Sequence, residues 1–306
     1  MKAVICTGYG GPGVLQIRDV KTPIPKSREI RIRVRAVSVT SSDCITRSFD
    51  LPPAMRIPSR LALGMRRPRK PILGMVLSGV VDMIGSRVTQ FKVEDKVYAH
   101  TFTRFGAYAE YTCIPEDCAV TKMPSNLTFE EATAIPYGGT LALYYLNKLG
   151  LSKGQKILVY GASGSVGTSA VQLAVYYGAR VTGVCSAANS GMVKSLGALD
   201  VIDYTKGKIT EYTNRYDLIF DAVGRKKSSH IHFKILLNQS GKFISVDDGS
   251  PGTHAVNREN MLILKELAET GFLRPVIDGI FPLEQIREVH AYTDRGHKKG
   301  DVIVII

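Results

Sequence analysis

Hydrophobic and polar positions change their period along this chain. From residue 1 to about 120 they mostly alternate in twos between Pro and Gly turns, which predicts antiparallel strands. In Glu29–Val39, EIRIRVRAVSV, Ile30, Ile32 and Val34 share one face and the arginines the other, as in a half-buried strand. Leu77–Met83 and Lys96–Ala99 are also predicted strands. From about 125 to 250, short apolar runs alternate with helical periods. Asn126–Leu149 holds two helical segments around Pro136. Strands are predicted at Lys156–Tyr160, Arg180–Cys185, Val201–Tyr204, Leu218–Ala222 and Lys242–Val246, with helices between them. This order implies a parallel sheet with right-handed crossovers. Beyond Asn257 the pattern gives an amphipathic helix, a strand at Val276–Phe281, a helix from Leu283 and a last strand at Asp301–Ile306. That tail is expected to rejoin the first domain. The expected division is residues 1–122 with 257–306, and residues 123–256. The fold class is α/β, with a doubly wound parallel sheet and a separate β domain.

The most specific signal is KILVYGASGSVGTSAVQLAVYYGARVTGVCS, Lys156–Ser186, which reads strand, glycine turn, helix, strand. Gly161, Ala162, Ser163, Gly164, Ser165, Val166 and Gly167 make the turn. Gly164 lets the backbone approach a pyrophosphate, and Gly167 lets the helix sit close to the strand. The helix start offers N–H groups and a positive dipole end to the phosphates. Val223 and Gly224, after the Leu218–Ala222 strand, are assigned to the same cofactor site.

Composition places the chain among globular proteins of about two domains: 306 residues, 44% hydrophobic and 22% charged. No apolar run is long enough for a membrane span, and the N-terminus lacks the apolar core of a signal peptide. A cytoplasmic protein with no membrane partner is expected. The five cysteines, Cys6, Cys44, Cys113, Cys118 and Cys185, are scattered without CxxC spacing, against a disulfide framework or a zinc knot. The net charge is +13, and Arg56, Arg60, Arg66, Arg67, Arg69 and Lys70 cluster together. No aromatic residues interleave with them, so a solvated loop is favoured over a nucleic-acid surface. The whole stretch from Phe49 to Pro71 reads as a loop, expected to cover part of the substrate pocket.

Several segments, in order, resemble the medium-chain dehydrogenase/reductase superfamily, in its zinc-independent quinone oxidoreductase-like branch. They are AVSVTSSD (Ala36–Asp43), LGMVLSGVV (Leu73–Val81), FGAYAEY (Phe105–Tyr111), the ASGSVG turn, SLGALDVIDY (Ser195–Tyr204) and GHKKGDVIVI near the end. The resemblance covers nearly the whole chain. It implies a GroES-like β-barrel domain made by both chain ends, a Rossmann domain, and hydride transfer from a nicotinamide to a quinone or enone. The zinc ligands of other branches fall on Thr40, Met75 and Tyr137, none a good ligand, so no metal is expected.

The end of the second Rossmann strand, Cys185-Ser186-Ala187-Ala188-Asn189, carries no carboxylate to repel a 2′-phosphate. Ser186 and Asn189 can donate hydrogen bonds to one, and Lys194 adds charge, so NADPH is favoured over NADH. By resemblance, Tyr204 lies near the adenosine end and Thr40 and Thr140 near the nicotinamide. Thr40 stands where many relatives have Asn, and Val76 where an acid is common. Tyr137 is either a proton donor to the developing enolate or hydroquinone, or an aromatic wall of the pocket, the wall being favoured. Asp43 is expected to be a structural hydrogen-bond acceptor. His230 and His232 lack ligating neighbours and are expected on the surface. The short segment 247–257 leaves no clear sixth strand, so the oligomeric state stays open. The alternative to an enzyme is an NADPH-binding redox sensor or RNA-binding protein with little catalysis.

Overall fold

The computed structural model describes residues 1–207, 209–211, 214–249 and 252–306, which form two compact units. One comprises Met1–Pro136, Asn257–Leu262 and Ile277–Ile306; the other comprises Tyr137–Val256 and Ile263–Val276.

The first unit opens with the antiparallel pair β1 (Lys2–Cys6) and β2 (Leu15–Asp19). Its main sheet contains β3 (Glu29–Ser38), β4 (Val76–Ile84), β5 (Lys96–His100), β6 (Tyr111–Pro115) and β7 (Val120–Lys122). The second unit supplies β8 (Lys156–Tyr160), β9 (Arg180–Cys185), β10 (Asp200–Asp203), β11 (Tyr216–Asp221) and β12 (Leu237–Ser245). The tail returns β13 (Ile277–Pro282) and β14 (Asp301–Ile305) to the first unit, giving the order β13-β14-β3-β4-β5-β7, with β6 also on β3. On β3 the alternation places Ile30, Ile32 and Val34 in the core, and Arg31 outside pairs with Asp82 at 2.9 Å.

In the second unit all five strands are parallel in the order β10-β9-β8-β11-β12. The order reverses direction between β8 and β11, the switch point of a doubly wound sheet. β8 and β9 are buried except at their first residue, as expected of strands covered by helices on both faces. Leu158, Val184, Ile219 and Phe233 meet in the core beneath one face.

The division departs from the expected boundaries in two places. Residues 123–136 stay with the first unit because the Phe129–Thr133 helix is tied to its sheet. Ser78 Oγ donates to Phe129 O at 2.7 Å, Thr133 Oγ1 bonds Ser78 Oγ at 2.8 Å, and Ala134 packs on Ala36 and Ile303. Residues 263–276 belong with the second unit: Gln172 clamps the Arg274 backbone, Nε2 donating to its oxygen at 3.0 Å and Oε1 accepting from its nitrogen at 2.8 Å. β12 starts at Leu237, five residues before expected, because its pairing with β11 shifts register between Tyr216/Leu237 and Leu218/Lys242. The stretch read as a loop contains a helix at Pro53–Leu63. Residues 250 and 251 of the short segment after β12 lie outside those described.

Candidate functional site

The turn after β8 is built almost wholly by backbone. Gly161 adopts φ +79°, a region that costs a side chain but not glycine. The Gly161 and Ala162 amides both donate to Val184 O on β9, at 3.1 and 3.0 Å, and the Gly164 amide closes the turn on Gly161 O at 3.1 Å. Gly164 then caps the Ser165–Tyr176 helix with extended backbone and no side-chain cap. A Cβ added at Gly164 would meet nothing nearer than Gly161 O at 3.7 Å. At Gly167 a Cβ would stand 2.0 Å from Gly161 O and 2.8 Å from Ala162 Cα. The two glycines therefore do different work: Gly167 permits contact of helix and strand, whereas Gly164 leaves open the approach to a helix N-terminus that no side chain caps. That cradle suits an anion.

The loop after β11 stands against this turn across the switch point. A Cβ on Gly161 would lie 2.3 Å from Val223 Cγ2. The loop is shaped by Asp221, fully buried at the end of β11. Its Oδ1 accepts from the amides of Val223 (3.0 Å) and Gly224 (3.1 Å), and its Oδ2 from the hydroxyls of Ser228 (2.7 Å) and Ser245 (2.9 Å). Arg225 joins the loops after β11 and β12: its amide donates to Asp247 at 2.7 Å and its guanidinium grips Asp248 at 2.6–2.8 Å. Asp221 was not singled out from sequence, although an acid ending the apolar run YDLIFD signals a carboxylate with backbone work to do.

At the end of β9, Asn189 Nδ2 donates to Ser186 Oγ at 3.3 Å, and Lys194 is exposed on the Ser190–Ser195 helix. Tyr204 is half exposed just beyond β10. The sheet also brings a carboxylate here. Asp203 lies in register with Cys185, and the Thr205 hydroxyl (2.7 Å) and amide (3.0 Å) hold it below the usual carboxylate range. The stretch 185–189 has no acid of its own, but its neighbouring strand has one, which the sequence reading missed.

Tyr137 and Thr140 occupy the first turn of the Pro136–Leu149 helix. That turn packs on the start of the glycine-turn helix: a Cβ on Gly138 would stand 2.2 Å from Ser165 O. Tyr137 is half-buried; Thr140 is fully buried, its hydroxyl directed back to Tyr137 O at 3.5 Å. The second unit thus gathers Gly161–Gly167, Val223, Gly224, Tyr137 and Thr140 around one helix start.

Thr40 belongs to the other unit and does a different job. It is fully buried and caps the Ser41–Ser48 helix in a reciprocal box. Its hydroxyl donates to Asp43 Oδ2 at 2.6 Å, and its Oγ1 accepts from the Asp43 amide at 3.2 Å. The hydroxyl proton is spent inside this cap. T-x-x-D before a helix is a capping signature that was available in the sequence.

Burial pushes the Asp43 carboxyl up to about 6, against the lowering effect of the Thr40 hydroxyl and amide. Because this lies above the free value of 3.8, the native state takes up the proton first as pH falls. This group costs stability above pH about 6, and the cost is relieved between pH about 6 and 4, by about 3 kcal/mol. Asp43→Asn, which keeps an acceptor for Thr40, is expected to flatten that segment of the stability–pH curve in denaturant titrations. An unchanged slope would place the titration elsewhere.

Residues 26–125 match the alcohol dehydrogenase GroES-like domain family, and residues 196–304 match the zinc-binding dehydrogenase family. The chain is 30% identical to the chloroplastic NADPH-dependent alkenal/one oxidoreductase of Arabidopsis thaliana, over 99% of this chain and 79% of that one. It is 29% identical to the quinone oxidoreductase of Homo sapiens, over 95% and 93%. The quinone oxidoreductase structure from Coxiella burnetii superposes with a TM-score of 0.87 at 27% identity, covering 100% and 99% of the two chains.

The chain belongs to the medium-chain dehydrogenase/reductase superfamily, in its quinone oxidoreductase-like branch.

As a medium-chain reductase it is an NAD(P)H-dependent enzyme, with a GroES-like domain and a Rossmann domain. The three positions where the resemblance places zinc ligands do not carry a zinc donor set. Thr40 is consumed by its cap, Met75 offers a buried thioether and Tyr137 a phenol, a donor set unlike the Cys, His and carboxylate ligands of catalytic zinc. Among the described residues no group of three or more His, Cys, Asp or Glu could hold a metal ion. The five cysteines are all free, and His230 and His232 are exposed.

Proposed function

We propose that this medium-chain reductase uses NADPH to reduce quinones and α,β-unsaturated carbonyl compounds. The observation that carries the reading is the unobstructed, uncapped helix start at Gly164, placed at the switch point of the parallel sheet. Within Gly161–Gly167, amides of the helix start that serve neither Val184 O nor Gly161 O would hold the diphosphate, and the Val223–Gly224 loop, fixed by Asp221, would flank the neighbouring part of the dinucleotide. Ser186, Asn189 and Lys194 would meet a 2′-phosphate, and Tyr204 would flank the adenosine. Thr205 holds Asp203 in its charged form, which counts against a 2′-phosphate and which Lys194 would have to offset. When bound, the reduced nicotinamide supplies a hydride. A conjugated carbonyl acceptor fits a donor set without zinc, because the electron pair displaced by hydride addition settles on oxygen as an enolate or hydroquinone anion, which needs only a proton.

Tyr137, beside the helix start, is our candidate to deliver that proton. Tyr137→Phe is expected to lower kcat by about 10- to 100-fold with little change in the KM for NADPH. An unchanged kcat would make the phenol a pocket wall and solvent the donor. Thr40 would act as a positioning residue through its cap. Steady-state NADPH oxidation with a panel of quinones, enones and saturated ketones tests the function: turnover is expected with the first two classes alone. NADPH binding without turnover of either would favour a nucleotide-dependent sensor.

A further inference from the structure

The Pro53–Leu63 helix and the turn after it carry none of the residues assigned above to cofactor or proton transfer. They combine two features that soluble surfaces usually keep apart. Ile57, 75% exposed, and Leu61, 60% exposed, are four residues apart and form an outward apolar ridge, with exposed Met55 and Met65 nearby. Between Leu51 and Val81 the chain carries Arg56, Arg60, Arg66, Arg67, Arg69 and Lys70 and not one Asp or Glu. Arg66, Arg67 and Arg69 are exposed, and no ion pair among the described residues engages them.

The ridge is held to the body from beneath. Arg60 lies over the rings of Phe49 (4.6 Å) and Tyr9 (5.1 Å) and donates to Met65 O. The Tyr9 hydroxyl donates to Gly64 O at 2.9 Å, and Arg56 Nε to Leu51 O at 3.0 Å. The aromatic rings and Arg60 anchor the segment, which leaves Ile57, Leu61, Met65, Arg66, Arg67 and Arg69 exposed.

We propose that this face docks peripherally on an anionic phospholipid surface, with Ile57, Leu61 and Met65 entering the headgroup–acyl boundary and Arg66, Arg67 and Arg69 meeting the lipid phosphates. Exposed apolar side chains and exposed cations in one short segment are the chemistry of an interfacial helix. A polyanion such as RNA would use the charges but leave the apolar ridge in water, since no exposed aromatic side chain in the segment offers a base a platform. No membrane-crossing helix is required; among the described residues none is long and apolar enough to be one. The inference does not depend on the catalytic reading.

The test is co-sedimentation of the full chain with vesicles of equimolar phosphatidylglycerol and phosphatidylcholine, against vesicles of phosphatidylcholine alone. Binding is expected to the first and not to the second. Ile57→Asp with Leu61→Asp is expected to weaken it by at least about tenfold. Arg66→Ala, Arg67→Ala and Arg69→Ala together should weaken it on the order of a hundredfold. All five side chains are exposed, so thermal melting should be unchanged in both variants. No sedimentation with anionic vesicles, or sedimentation indifferent to Ile57→Asp/Leu61→Asp, overturns the proposal. So does retention on single-stranded RNA without vesicle binding.

Discussion

Gly164→Asp is expected to leave the fold intact and to remove dinucleotide binding. Gly164 has ordinary φ and ψ of −80° and 173°, and its Cβ position is open. Asp is a better N-cap than Gly by a few tenths of a kcal/mol, and its charge favours the helix dipole, so stability should hold or rise. The same carboxylate would occupy the amides meant for phosphate and repel the diphosphate. NADPH affinity should therefore fall by at least about 100-fold, or about 3 kcal/mol, in calorimetric titration. Gly167→Ala is the contrasting change. Its Cβ would stand 2.0 Å from a backbone oxygen, so the helix must move off the strand, and stability falls by about 1–3 kcal/mol or more. If Gly164→Asp binds NADPH as wild type does, the helix start is not the phosphate site.

Asp221→Ala should be the most damaging single change in the second unit outside its glycines. It would strip the acceptor from two backbone amides and two hydroxyls in a buried setting. Each donor left unpaired costs about 1–3 kcal/mol, and hydroxyls can turn to other partners, so a net loss of at least about 3 kcal/mol is expected in denaturant titration. Asp221→Asn keeps one acceptor oxygen for the Val223 and Gly224 amides and should lose only about 1–2 kcal/mol. Both variants should loosen the Val223–Gly224 loop and weaken NADPH binding in step with stability. A fully stable Asp221→Ala protein would mean the loops after β11 and β12 hold themselves.

Local pattern carried the site further than it carried the strand neighbours. β8 and β9 coincide with the predicted Lys156–Tyr160 and Arg180–Cys185, because strands buried on both faces read as near-continuous apolar runs after their first residue. The glycine turn was legible for the same local reason: backbone contact with Ala162 and Gly161 O excludes any Cβ at Gly167. β12 was half hidden because the residues after Leu237, NQSG, carry no apolar run and sit at the edge of the sheet. The Pro53–Leu63 helix was obscured by Pro52, Pro53 and Pro58, although proline at a helix start is compatible with helix. Asp203 beside Cys185 was invisible because parallel register is set by tertiary packing, and no local signal joins residues so far apart. The Thr40 cap went unread because T-x-x-D was taken as part of a longer family segment, and its own helix, whose capping box claims the hydroxyl, was not considered.

The most direct test of the reductase assignment is a single-turnover reaction of the enzyme with NADPH deuterated at the transferable position of the nicotinamide and a simple enone, followed by mass and NMR analysis of the product. The account predicts one equivalent of oxidised nucleotide and a saturated ketone carrying deuterium on the carbon β to the carbonyl. Intact enone beside unoxidised NADPH, or deuterium found on the carbonyl carbon of an allylic alcohol, would contradict it.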